Sequence, residues 1–177
     1  MKDHWFQTAT GRKFSLTEVS SNVIDIDDIA HSLSKLCRFN GHCRFFYSVA
    51  QHSVLMSERV LPEDRLWALL HDASEAYLGD VIAPLKGLLP AYQILEKQVT
   101  ELICAKFDLP AKMPRAVKEA DLRMLATEQR DLMEAPPQEW RTLKNIQPYY
   151  KPIQPWIPET ARYKFRKAFD NIMRSRR

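Results

Sequence analysis

Between Leu69 and Lys86 the chain reads Leu-Leu-His71-Asp72-Ala-Ser-Glu75-Ala-Tyr-Leu-Gly-Asp80-Val-Ile-Ala-Pro-Leu-Lys86. An apolar run leads straight into four titratable groups within ten residues. Burying charge is costly unless it is paired or ligates a metal. The pattern therefore predicts that His71 and Asp72 share one metal ion, with Glu75 and Asp80 beside it. Adjacent residues on a helix point about 100° apart, so both side chains converge on an ion placed between their directions. Glu75 is i+4 from His71 and i+3 from Asp72, on the same side one turn later. The remaining ligands must come from elsewhere. His52 shares a broad inward face with Val49, Ser53, Leu55 and Met56, and is the imidazole of choice. Asp121, after Lys118-Glu119-Ala120, is the distant carboxylate. Two imidazoles and two carboxylates suit a borderline divalent ion such as Zn²⁺, Mn²⁺, Co²⁺ or Fe²⁺. Taken singly the residues have plainer readings: His52 as a core histidine, Glu75 as support for its helix, Asp80 after Gly79 as an N-cap.

Helices must position these groups. Apolar spacing predicts helices over Asp25–Cys37, Phe45–Val60, Leu66–Ala73, Ala91–Phe107, Val117–Met133 and Glu159–Arg174. Residues 5–16 read as a short hairpin or extended arm around Thr10-Gly11, and 81–89 as a loop or short helix. Asn40-Gly41 signals a turn. Residues 135–158 interleave six prolines with Trp140, Tyr149, Tyr150 and Trp156. That stretch cannot be helical throughout, and its aromatics predict an ordered loop packed over the domain or against a neighbouring subunit.

The 177 residues suit one domain with one core, and the scarcity of Gly (4) disfavours a fold of tight hairpins. The net charge of +4 fits an anionic small substrate and is too diffuse to call for nucleic acid; the Arg174, Arg176 and Arg177 tail reads as solvated. Three cysteines, Cys37, Cys43 and Cys104, suggest a reducing compartment. Cys37, His42 and Cys43 match no common closed zinc site. The Met1-Lys2-Asp3-His4 start has no apolar run behind it, and no stretch of eighteen apolar residues occurs, so neither a signal peptide nor a membrane span is expected.

Ser48-Val49-Ala50-Gln51-His52-Ser53, Leu70-His71-Asp72-Ala73-Ser74-Glu75, Gly79-Asp80, Pro84-Leu85-Lys86 and Glu119-Ala120-Asp121 together resemble the HD-domain metal-dependent phosphohydrolases. The likeness is to the 5′-deoxynucleotidase branch, which includes small phage dATP triphosphohydrolases, and covers roughly residues 24–135. The short spacer between His52 and His71 favours the compact phage-like form.

The resemblance implies an all-α HD-domain helical bundle with a short N-terminal extended arm or hairpin. It is one domain over 1–177, with a core about 24–135, a Pro/aromatic loop 135–158 and a C-terminal helix 159–174. It implies a divalent metal (Zn, Co, Mn or Mg) on His52, His71, Asp72 and Asp121. Glu75 would be the general acid or base, and Asp80 would position water or the sugar end of the substrate. Arg38 and Lys86 would contact phosphate. Phe39, where some relatives have Trp, would help choose the substrate. The implied substrate is a deoxynucleotide: a dNTP, dATP first, with a 5′-dNMP as the alternative and a non-catalytic nucleotide-binding sensor as the rival of another class. Self-association as a dimer or hexamer, and a bacterial or phage-infected host cytoplasm, go with it.

Overall fold

The computed structural model describes residues 3–176; Met1, Lys2 and Arg177, which belong to the start and the tail noted above, lie outside them. The chain is mostly helical, with one two-stranded antiparallel hairpin at its start. Strands β1 (Trp5–Gln7) and β2 (Lys13–Ser15) pair Phe6 with Phe14. The hairpin is tied down at its tip: Thr10 donates from its N–H and its hydroxyl to the Asp28 carboxylate at 2.7 and 2.9 Å. The helices are α1 (Ile26–Lys35), α2 (Val49–Ser57), α3 (Arg65–Leu70), α4 (Glu75–Leu78), α5 (Ala83–Lys86), α6 (Pro90–Lys106), α7 (Arg115–Leu132) and α8 (Pro158–Ser175). None is long and apolar enough to cross a membrane.

Local chemistry sets the ends that matter. Asp25 caps α1 by accepting from the Asp27 N–H at 2.9 Å, and Asp27 and Asp28 suit its positive end. Helix α2 begins at Val49, not at Phe45 as the periodicity suggested, and it stops at Ser57 rather than Val60. Ser48 is held extended by a bridge to Cys37, and its hydroxyl accepts from the Gln51 N–H at 3.1 Å. That cap starts the helix and leaves Phe45 and Phe46 outside it.

A second correction falls on the site itself. The helix expected over Leu66–Ala73 ends at Leu70, and His71 and Asp72 sit in the turn joining α3 to α4. In that turn the backbone bonds tighten to i−3, Ala73 to Leu70 and Ala76 to Ala73. The His71 ring meanwhile engages the Ala68 carbonyl at 2.8 Å. Helix α4 then ends at Gly79, whose φ of +83° a side chain would resist.

Helix α2 is the central element. It packs against α1, α3, α7 and α8, and all its residues but Leu55 are buried. A helix enclosed on every side is apolar or self-satisfied all round. One core cluster joins Phe14, Ile29, Leu33, Val49, Leu69, Val99 and Phe165; another joins Tyr47, Met56, Trp67, Val117, Met124 and Leu132.

The Pro/aromatic segment lies over α2 and α7. Tyr149 N–H donates to Thr127 Oγ1 and Ile153 N–H to Asp131 Oδ2, both at 2.8 Å. Gln51, fully buried, donates to the Gln154 carbonyl at 2.7 Å and accepts from the Trp156 N–H at 2.8 Å. Gln51→Leu keeps the side-chain bulk and strands both of those backbone groups. We expect a loss of about 2 kcal/mol and a Tm lower by about 4–8 °C. Faster proteolysis within residues 147–156 should accompany it. Unchanged melting and unchanged cleavage would show that this clasp holds nothing.

Candidate metal centre

The site forms where α2, the α3–α4 turn and the middle of α7 meet. His52 is fully buried because α2 is central, and His71 is buried because α3 drives into the core just before its turn. One ligand atom from each of His52, His71 and Asp72 lies within 4.8 Å of the other two. Asp72 Oδ2 is 3.0 Å from His71 Nε2 and 3.6 Å from His52 Nε2. Asp121 Oδ1 is 3.4 Å from His52 Nε2, at the edge of this tight group.

Both imidazoles are oriented from behind. His71 Nδ1 faces the Ala68 carbonyl, which only accepts, so Nδ1 carries the proton. His52 Nδ1 faces Glu128 Oε1 at 2.5 Å, which sets the same tautomer. The two Nε2 atoms are then left facing each other at 3.1 Å. Two lone pairs at that distance repel unless a proton or a cation lies with them. In the metal-free chain a proton can serve. Burial and Arg38 push the His52 pKa down, but the Glu128 and Asp121 carboxylates outweigh them and hold it at about 9. The donor set of two imidazole nitrogens and a carboxylate oxygen fits a divalent cation equally well.

Burial raises the Asp72 pKa, but His71, His52 and Arg38 outweigh it and keep the carboxyl far below its usual range. Asp121 is also lowered, with the hydrogen bond to His52 overcoming burial. Glu75 goes the other way. Its burial, reinforced by Asp72 and Asp80, raises its pKa well above the usual range, and its Oε2 is buried with no hydrogen-bond partner among the described residues. Burial raises Asp80 as well. Asp72 is thus shifted down while Glu75, three residues on, is shifted up, so the two carboxyls are pushed apart in acidity.

The remaining expected residues divide. Arg38 is brought in: it lies 3.3 Å from Asp72 Oδ2 and 3.2 Å from Glu128 Oε2. Phe39 flanks it, its ring 5.5 Å from the Arg38 guanidinium and 6.3 Å from the Trp140 ring. Phe39 and Asn40 both adopt positive φ, an uncommon conformation for a bulky residue. Lys86 is engaged elsewhere, on Glu96 Oε1 at 2.5 Å. It does line a cavity of about 370 Å³ that also reaches His71, Ser74, Lys97 and Thr100. Cys37 and Cys43 are free thiols 3.8 Å apart.

Glu128 is the functional residue the sequence reading missed. It is fully buried, and Arg38 and His52 hold its pKa down although burial works to raise it. The signal was there: Glu128 is seven residues, two helical turns, beyond Asp121 on the same helix face.

The fold and site thus define a mostly helical protein with a buried two-histidine, one-aspartate group that could hold a metal ion. The chain belongs to the family of the Escherichia coli (strain K12) uncharacterized protein YfdR, being 50% identical to it over 128 residues, 72% of each chain. The Rhodobacter capsulatus uncharacterized protein RCAP_rcc00048 is 38% identical over 135 residues, 68% of this chain and 69% of that protein. No family model matches the chain.

Proposed function

We propose that the chain is a metal-dependent phosphohydrolase of the HD-domain kind, acting on deoxynucleotides. The observation that carries this reading is the meeting of His52 Nε2, His71 Nε2 and Asp72 Oδ2, with the buried Glu75 three residues on, its Oε2 without a hydrogen-bond partner among the described residues. His52, His71 and Asp72 would hold the ion, with Asp121 as fourth ligand. A divalent ion there supplies Lewis acidity, lowering the pKa of water and offsetting charge on phosphoryl oxygens. The protein groups do the rest. Asp80 orients the attacking water or the sugar end of the substrate. Glu75, whose pKa burial raises, donates its proton to the departing 5′-oxygen. Lys86, which lines the cavity that reaches His71, would meet phosphate on leaving Glu96. The first substrate is a deoxynucleoside triphosphate, dATP foremost, giving deoxynucleoside and inorganic triphosphate; the monophosphate is second.

The test is a chromatographic product profile after incubation with Co²⁺ or Mn²⁺ and a panel of dNTPs, dNMPs and ribonucleotides. We expect deoxynucleoside to accumulate with triphosphate or phosphate in equal amount. Nucleotide binding with no product would overturn hydrolysis in favour of a sensor.

A further inference from the structure

We infer that Glu128 is the positioning residue of the metal centre, setting His52 directly and Asp72 through Arg38. This rests on the metal-binding part of the reading above and on nothing about the substrate.

Glu128 has no exposed surface, yet both oxygens of its carboxyl are engaged. Its two oxygens are divided. Oε1 takes the His52 Nδ1 proton at 2.5 Å, and Oε2 takes an Arg38 N–H at 3.2 Å. The other terminal nitrogen of Arg38 reaches Asp72 Oδ2 at 3.3 Å. Asp72 Oδ2 is the same oxygen that stands nearest both imidazoles. One buried carboxylate therefore sits behind two of the three ligands, one arm touching an imidazole and the other reaching a carboxylate through a guanidinium.

A stabilising role alone explains this poorly. A buried ion network is often matched or bettered in stability by apolar residues of similar volume. What an apolar residue cannot do is fix the His52 tautomer and ring angle. Outer partners of metal-bound histidines act in this way, and losing one typically costs about 10- to 100-fold in metal affinity. Arg38 has a matching task. With both terminal nitrogens on protein carboxylates, it serves first as a strut inside the protein.

The experiment measures Co²⁺ affinity by titration calorimetry on the full chain, with the melting temperature of the metal-free protein recorded alongside. Glu128→Gln is expected to weaken Co²⁺ binding about 10- to 100-fold. In the Zn²⁺-loaded protein, the His52 Nδ1 proton resonance, far downfield when bonded to a carboxylate at this distance, should move upfield. If Glu128→Gln fails to fold because Arg38 loses one of its two carboxylate partners, the Arg38→Gln/Glu128→Gln double variant removes that charge and carries the same two expectations. Unchanged affinity and an unmoved resonance would overturn the assignment. His71→Ala separates the two readings. If it abolishes Co²⁺ binding while Glu128→Gln leaves it intact, the positioning role fails and the metal site stands. If the unmodified chain binds no Co²⁺, the metal site fails and the positioning role goes with it.

Discussion

Asp72→Ala is expected to abolish metal binding and turnover together. Asp72 Oδ2 is the centre of the group, 3.0 Å from His71 Nε2, 3.6 Å from His52 Nε2 and 3.3 Å from Arg38. Removing it takes away the one carboxylate oxygen that faces both imidazoles, leaving Asp121 against His52 alone. Arg38 also loses one of its two carboxylate partners, which disfavours a divalent ion beside it. The expected loss is about 10³-fold or more in kcat/KM, the scale of several kcal/mol of charge stabilisation. Metal content by elemental analysis should fall to background. The fold should survive, because the Asp72 side chain is one-fifth exposed and lies in a turn, not in the packed face of a helix. Full activity with metal retained would remove Asp72 from the centre.

Glu75→Gln should separate chemistry from metal binding. The substitution keeps shape and buries no new charge. Metal content should therefore stay at the unmodified level while the rate falls about 10²- to 10⁴-fold, the usual contribution of a positioned acid or base. The pH profile gives a second check. Burial, with Asp72 and Asp80 adding to it, raises the Glu75 pKa well above the ordinary range, so the acid form persists to higher pH than in a solvated glutamate. Activity that needs that proton is present at lower pH and lost as pH rises through the raised value. A cation at the centre moves this limb to lower pH without reversing it. In Glu75→Gln the limb should vanish and the residual rate should be flat there. A variant with the native rate, or with the limb unchanged, would take Glu75 out of the proton transfer.

Much of this arrangement was legible from residue order. The helical character followed from apolar periodicity, because an α-helix repeats every 3.6 residues whatever surrounds it. The hairpin over residues 5–16 and the clustering of His52, His71 and Asp72 are seen as expected. Element ends were less legible. Phe45 and Phe46 carry the apolar pattern of α2 but stay outside it, since Ser48 is pinned to Cys37 and caps the helix three residues later. The break at Leu70 was hidden too. It depends on a side chain, His71, engaging a carbonyl of its own preceding turn.

The order of residues by itself determined that the chain is helical, that a His-Asp pair follows an apolar run, and that acidic groups crowd behind it. It did so because periodicity and the cost of buried charge act locally. Only the tertiary structure decided that α2 lies at the centre, which buries His52 completely. The same packing sets Glu128 against His52 and Arg38 across 76 and 90 residues of chain. Contacts at that separation depend on how helices stack, and stacking is a property of all their faces at once. The sequence puts Glu128 on the Asp121 face of α7, but it does not name its partners, and Glu128 becomes part of the centre only when three elements close around it.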